Sequence, residues 1–121
     1  MKRMKIYIAT PVNARNEETL EEKREKAWDR MCEIRKQLHK RYPDAEFHSS
    51  FDAHIAPIDK PVTMMTEATI MGKCVTEVME CDMVVLDYDW QQSKGCRLEN
   101  RTAQIYGIPC TSVWLLGIGM E

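Results

Sequence analysis

The segment Asp82-Met-Val-Val-Leu-Asp87 constrains the fold of this chain more than any other. It is a short, uninterrupted apolar run with an acid at each end. A strand with one wet face alternates apolar and polar residues, whereas a continuous apolar strand is typical of a parallel sheet that helices cover on both faces. The sequence therefore predicts a buried strand over residues 82–87.

The first half of the chain supplies two strands and a helix. Residues 5–9 favour β-structure and are followed by Pro11, which ends ladder pairing. Residues 17–41 lack Pro and Gly and carry apolar residues at helical intervals, which predicts a long amphipathic helix. Pro43 ends this helix, and residues 45–51 form the second predicted strand.

The second half continues the alternation. Residues 52–63 are predicted as a loop, and residues 64–80 carry apolar residues at helical spacing. A third helix is predicted over residues 95–106 with Gly107 as its left-handed stop. Residues 109–116 are predicted as the last strand.

Strands that alternate with helices predict a three-layer, doubly wound α/β domain of the flavodoxin-like type, with a mainly parallel sheet of four or five strands. A chain of 121 residues suits one such domain over residues 1–121. In these sheets the ligand binds beyond the carboxyl ends of the strands, where the winding reverses. The loops over residues 10–16 and 88–95 are therefore the expected site.

Composition narrows the classes of partner. Lys and Arg number 17 against 19 Asp and Glu, with no basic stripe, so no nucleic acid polymer is expected. The five cysteines are odd in number and lack C-x-x-C spacing, which fits a reducing cytoplasm better than a disulfide framework or zinc site. No apolar run is long enough to cross a membrane, so no membrane partner is expected. The three histidines lack metal-ligand spacing, and neither a metal nor an organic cofactor is expected.

The loop after the buried strand has two interpretations. Gly95 stands at the start of the third helix, where free N–H groups attract an anion, and Ser93 and Lys94 can add a hydroxyl and a charge. In the simpler interpretation Ser93 is only an N-cap and Gly95 eases the turn. Spacing alone does not decide between them.

Glu99 falls in the first turn and a half of that helix, where its side chain can lean back toward the loop. A surface glutamate matched to the helix dipole, worth ~0.3–1 kcal/mol, is the simpler interpretation. The same crevice, however, gathers Tyr7, Asp87, Asp89 and Trp90. An aromatic plate, acids and an anion site are what a nucleoside or nucleotide requires.

Two motifs make the pattern more specific. The chain opens with Ile6-Tyr7-Ile8-Ala9-Thr10-Pro11, and the strand over residues 82–87 is followed by Ser93-Lys94-Gly95-Cys96-Arg97-Leu98-Glu99 and, four positions later, Ala103. In these motifs the chain resembles the nucleoside 2-deoxyribosyltransferase superfamily, which includes the deoxynucleoside monophosphate N-glycosidases. The resemblance covers both ends of the chain and hardly the middle.

The resemblance implies a role for each catalytic candidate. Glu99 would be the carboxylate nucleophile that attacks the anomeric carbon of a (deoxy)ribosyl group, giving a covalent intermediate that water or a second base resolves. Tyr7 would orient Glu99 by a hydrogen bond. Asp87 and Asp89 would contact the sugar or base and deliver a proton to the departing base.

Ser93 bears on the substrate. The transferases have an acid at this position, whereas the nucleotide-hydrolysing relatives have a serine that binds phosphate, which favours a 5'-monophosphate here. Asn100 and Arg101 depart from the smaller, more apolar residues usual after the glutamate. The resemblance implies the following substrate-binding residues: Thr10, Pro11, Arg15, Trp90, Ser93, Lys94 and Gly95.

The sequence leaves several functions open. The first is cleavage of the N-glycosidic bond of a (deoxy)nucleoside 5'-monophosphate or nucleoside, by hydrolysis or base exchange. The alternatives are a nucleoside 2-deoxyribosyltransferase that acts on free nucleosides, a non-catalytic nucleotide-binding module, and an interaction domain that binds through its long charged helix. The resemblance and the methionine-rich second helix further predict a homodimer or larger homo-oligomer.

Overall fold

The computed structural model describes residues 3–11, 20–49 and 64–118. The elements in chain order are strand β1 (Lys5–Ala9), helix α1 (Leu20–Arg41), strand β2 (Glu46–Ser49), helix α2 (Met64–Glu80), strand β3 (Met83–Leu86), a single 3₁₀ turn (Trp90–Gln92), helix α3 (Lys94–Tyr106) and strand β4 (Cys110–Ser112).

The four strands of the described residues form one sheet in the order β2-β1-β3-β4, and every neighbouring pair is parallel. This confirms the predicted flavodoxin-like α/β fold. The chain winds outward from β1 to β2 and then crosses to β3 on the other side of β1. Ala9 and Leu86, at the carboxyl ends of β1 and β3, are register partners and mark the point where the winding reverses.

The sheet separates two apolar layers because successive side chains of a strand point to opposite faces. Ile6 and Ile8 of β1 pack with Ile34 and Leu38 of α1 on one face. On the other face Tyr7 and Ala9 lie with buried residues of α2 and α3. The four residues of β3 are all buried, as expected for a strand covered on both sides.

The predicted boundaries agree closely through most of the chain. Helix α2 spans the predicted residues, α3 begins one residue earlier than predicted, and Gly107 ends it with a left-handed φ of 69°. Residues 17–19, at the start of the first predicted helix, and residues 50–51, at the end of the second predicted strand, lie outside the described residues.

The prediction of a last strand over residues 109–116 is wrong beyond Ser112. The chain turns back over residues 113–118, where the Ile118 N–H donates to the Val113 carbonyl at 3.0 Å and both side chains are buried. The Arg41 guanidinium at the end of α1 donates to the Leu116 carbonyl. No strand of the described residues pairs with the outer side of β4, and the turn back buries Val113 and Ile118 in the core layer that α1 covers, while Trp114 and Leu115 stay exposed.

None of the helices over the described residues is both long and apolar enough to span a membrane.

Candidate functional site

The carboxyl ends of β1 and β3 place two polar residues side by side at the point where the winding reverses. Thr10 follows β1 and is 2% exposed, and Asp87 follows β3 and is fully buried. The Thr10 hydroxyl has no hydrogen-bond partner within the part of the chain that the structure describes. An unpaired buried hydroxyl is costly, which makes this edge a candidate for ligand binding.

Helix α3 begins at the same edge. Ser93 caps it, since its hydroxyl oxygen accepts a hydrogen bond from the Cys96 N–H at 3.2 Å. Ser93 is therefore an N-cap, and its hydroxyl also adjoins the Cys96 thiol, where it opposes the rise that burial causes in the pKa of that thiol.

Glu99 leans back from α3 toward this cap. A Cβ atom added to Gly95 would lie 3.9 Å from Glu99 Oε1 and 3.8 Å from Ser93 Oγ, so carboxylate, hydroxyl and glycine border one space. Glu99 is only 2% exposed, which excludes the interpretation as a surface residue matched to the helix dipole.

Burial controls the charge of Glu99. It raises the pKa of the carboxyl group from 4.5 to about 7, and the nearby Tyr7 hydroxyl opposes the rise by favouring the ionised form. Burial, with the charge of Glu99 second, likewise raises the pKa of Tyr7.

The structure brings Tyr7 and Glu99 together, as the resemblance implies, but in a loose contact. The Tyr7 hydroxyl and Glu99 Oε2 are both buried, and neither makes a hydrogen bond of regular geometry with any described residue. Their effect on each other's pKa therefore reflects proximity and approximate alignment. One oxygen of Glu99 is left free to act on a ligand.

Two buried thiols adjoin this pair. Cys74 of α2 and Cys96 of α3 are 6% and 1% exposed. Burial raises the pKa of the Cys74 thiol to about 11 and that of Cys96 further, and the charge of Glu99 acts in the same direction. Both thiols are protonated at neutral pH and are poor nucleophiles. Cys74 also adjoins the Tyr7 hydroxyl, a neighbour that its apolar spacing in the sequence did not reveal.

Asp87 has a different environment. The Arg30 guanidinium of α1 donates from Nε to Oδ2 at 3.0 Å and from a terminal nitrogen to Oδ1 at 2.6 Å, and the Tyr88 N–H donates to Oδ1 at 2.6 Å. The hydrogen bond to Asp87 raises the pKa of Arg30. Both oxygens of Asp87 are thus occupied, an arrangement that anchors the loop after β3. The sequence analysis did not single out Arg30, which is one of many charged residues in the first predicted helix.

The other predicted site residues are less enclosed. Asp89 and Trp90 are half-buried in the loop after β3, Pro11 is half-buried after β1, and Lys94 is exposed. The predicted phosphate ligand Arg15 lies outside the described residues. Over the described ranges, no three His, Cys, Asp or Glu side chains are grouped so that they could hold a metal ion.

Comparison with protein-family models identifies the family of this chain. Residues 4–112, from β1 to the end of β4, match the sequence model of a domain of unknown function, DUF4406. The protein belongs to this family. No curated protein and no solved structure matches the chain. The DUF4406 match includes Tyr7, Ser93, Gly95 and Glu99, so the whole candidate site lies within the family domain.

Proposed function

We propose that this protein cleaves the N-glycosidic bond of a nucleoside 5'-monophosphate or nucleoside, with Glu99 as the nucleophile. The observation that carries the proposal is a carboxylate that is 2% exposed at the switch point of the sheet, beside a tyrosine hydroxyl, with one oxygen that has no regular hydrogen bond to any described residue. A purely structural buried acid is normally paired, as Asp87 is. A buried acid without a charged partner, at the edge of the sheet where ligands bind in this type of fold, fits a catalytic role.

The pKa of Glu99 suits this role. With a pKa of about 7, roughly half of the molecules carry an ionised Glu99 at neutral pH. A carboxylate that water does not solvate loses little solvation when it attacks a carbon atom. The Tyr7 hydroxyl favours the ionised form.

The bond changes balance without a cofactor. A Glu99 oxygen attacks the anomeric carbon, the bond from that carbon to the base nitrogen breaks, and its electron pair leaves with the base, which takes up a proton. Asp87 and Asp89 remain the two candidates to deliver this proton: Arg30 and the Tyr88 N–H occupy both oxygens of Asp87, and Asp89 also lies within the electrostatic reach of Arg30. Water then attacks the glycosyl ester and releases the sugar, or an acceptor base takes its place.

The start of α3 supports a 5'-phosphate on the substrate. The first turn of a helix offers free N–H groups and a positive dipole end to an anion. The cap uses the oxygen of the Ser93 hydroxyl and not its hydrogen, which adjoins the Cys96 thiol and could donate to a phosphate instead. The missing side chain of Gly95 keeps the space between Ser93 and Glu99 open.

The test is a panel of ribo- and deoxyribonucleosides and their 5'-monophosphates, each with and without a free acceptor base, with chromatographic detection of released or exchanged base. We expect turnover in the wild type and a loss of at least about a thousandfold in Glu99→Gln. Glu80→Gln, an exposed glutamate at the end of α2, is the matched control and should retain full activity.

The panel also separates the rival functions. Binding of a nucleotide without turnover in the wild type would replace the proposal with a non-catalytic binding module. Neither binding nor turnover would leave an interaction domain. Release only from monophosphates would support Ser93 as a phosphate ligand, and product only with an acceptor base would identify a transferase.

A further inference from the structure

A second cleft lies between α3 and the edge strand β4, and Glu99 does not line it. Its volume is about 560 Å³, within the range of small-molecule sites. The wall combines one aromatic ring, two amide side chains, a hydroxyl, a thiol and an apolar end. The residues that supply these groups are Trp90, Asn100, Gln104, Ser112, Cys110 and Leu115.

The backbone of β4 presents hydrogen-bonding groups to this cleft. Val84 N–H donates to the Pro109 carbonyl at 2.9 Å, and Val113 N–H donates to the Leu86 carbonyl at 3.0 Å. In a parallel ladder alternate residues bond to the neighbouring strand. By this alternation Cys110 and Ser112 direct their N–H and C=O groups away from β3, where no described strand pairs with them.

Two side chains are fixed so that they offer donors. The Cys110 thiol donates to Asn100 Oδ1 at 3.3 Å, and the Asn100 amide N–H₂ makes no hydrogen bond within the described ranges, so it remains available. Ser112 Oγ accepts from the Leu115 N–H at 3.3 Å, which leaves its hydroxyl hydrogen available as well.

Trp90 forms the aromatic wall. It is half-buried and packs against the core layer that contains Leu86 and Ala103, two residues that also line the cleft. This packing holds the indole in place beside the amide and hydroxyl groups. A fixed aromatic face next to directed donors suits a flat ligand with a polar edge.

We propose that this cleft binds a planar heterocycle that carries a lactam group. The lactam N–H and C=O pair with the C=O and N–H of Cys110, the Asn100 amide donates to a further ligand carbonyl, and the ring lies on Trp90. The proposal goes beyond the N-glycosidic reaction and does not rest on it, because the cleft is lined without Glu99.

A bound peptide strand fits the edge less well. β4 is three residues long, and the Ser112 carbonyl already accepts the Leu116 N–H at 3.1 Å. Within β4, Cys110 is the residue whose two outward backbone groups make no hydrogen bond to another described residue. An added peptide strand would therefore make only one pair of backbone hydrogen bonds, with Cys110. A lactam needs only one such pair.

The test compares uracil with 1,3-dimethyluracil, which has the same ring but no N–H. Titrations are followed by ¹⁵N-¹H correlation NMR and by calorimetry. We expect uracil to shift the Cys110 amide and the Asn100 side-chain amide, and to bind at least about fivefold more tightly than the dimethyl compound. Equal binding of the two compounds, or no shift at these groups, would overturn the proposal.

Variants localise the effect. Asn100→Leu should lower the affinity for uracil about five- to tenfold. Ile105→Ala, at an exposed position on α3 outside the cleft, should leave the affinity unchanged. Glu99→Gln should also leave the Cys110 shifts unchanged, so failure here and failure of the catalytic proposal are distinguishable. If an acetylated Val-Thr-Val amide shifts Cys110 and uracil does not, the edge is a peptide site and the lactam proposal is wrong.

Discussion

Two carboxylates lie buried at the same edge of the sheet, and they are held in opposite ways. Asp87 is fully buried, with both oxygens occupied by Arg30 and a backbone N–H. Glu99 is 2% exposed, and one of its oxygens makes no regular hydrogen bond to the described part of the chain. Similar burial thus accompanies a structural anchor where the charge is paired, and a carboxyl group with a raised pKa where no charged partner among the described residues faces it.

The sharpest way to test this contrast is to remove the charge of Glu99. Its folded pKa of about 7 exceeds the ordinary value of 4.5, so the stability that it contributes is full below pH 4.5 and is lost as the pH rises through 7. We expect Glu99→Gln to match the wild type near pH 4.5 and to exceed its free energy of unfolding by about 3 kcal/mol at pH 8. Urea denaturation at a series of pH values measures this. A constant difference across that range would show that Glu99 does not titrate differently on unfolding.

Breaking the Arg30–Asp87 pair should have the next largest effect. Arg30→Met leaves Asp87 buried without its charged partner, and we expect a loss of about 2 kcal/mol in the free energy of unfolding at pH 7. The value lies below that of a fully buried pair because the Arg30 side chain is 38% exposed. Lys36→Met, an exposed position on the same helix, is the control. Equal stability of the two variants would contradict the anchoring role.

Ser93 tests the cap and the phosphate site separately. Ser93→Ala should cost about 1 kcal/mol of stability, because it removes the acceptor for the Cys96 N–H. Ser93→Asp keeps a cap and should retain stability, yet its charge should repel a 5'-phosphate. We expect Ser93→Asp to lose turnover of monophosphates and to retain that of free nucleosides. Retained monophosphate turnover would rule out a phosphate contact at this residue.

Tyr7→Phe should have the smallest effect on stability. The lost hydroxyl makes no regular hydrogen bond to a described residue, so we expect a change within about 0.5 kcal/mol. The pKa of Glu99 should rise above about 7, because the hydroxyl that favours its ionised form is gone. Carboxyl ¹³C NMR titration measures the shift, with Tyr106→Phe, an exposed residue, as the control. An unchanged midpoint would show that Tyr7 does not influence Glu99.

The fold could be predicted because its strongest signals are local. The apolar run between Asp82 and Asp87 indicated a covered strand, and Gly107 marked the end of α3. The end of β4 could not be predicted, since the residues after Ser112 are apolar enough to extend. Whether they extend depends on a neighbouring strand and not on their own pattern.

The site could be predicted only in part. The place of Glu99 near the Ser93 cap, and of Tyr7 in the same crevice, follows from the expected helix and strand ends, but the hydrogen bond between Tyr7 and Glu99 was implied only by the resemblance to a family. Arg30 lies 57 positions from Asp87, and nothing in a helix of many charges singles out the one that turns inward. Cys74 was similarly indistinct among the apolar residues of α2.

The place of β1 in the sheet affects how the chain folds during synthesis. β1 pairs with β3 across a long separation, and the Lys5 N–H donates to Asp82 at 2.8 Å over 77 positions. During synthesis β1 therefore lacks one of its two neighbours until β3, which begins just after Asp82, has emerged 77 positions beyond Lys5. Pairing across such distances is slow. Until then, the segment that carries Tyr7 and Thr10 exposes an apolar edge that chaperones can bind.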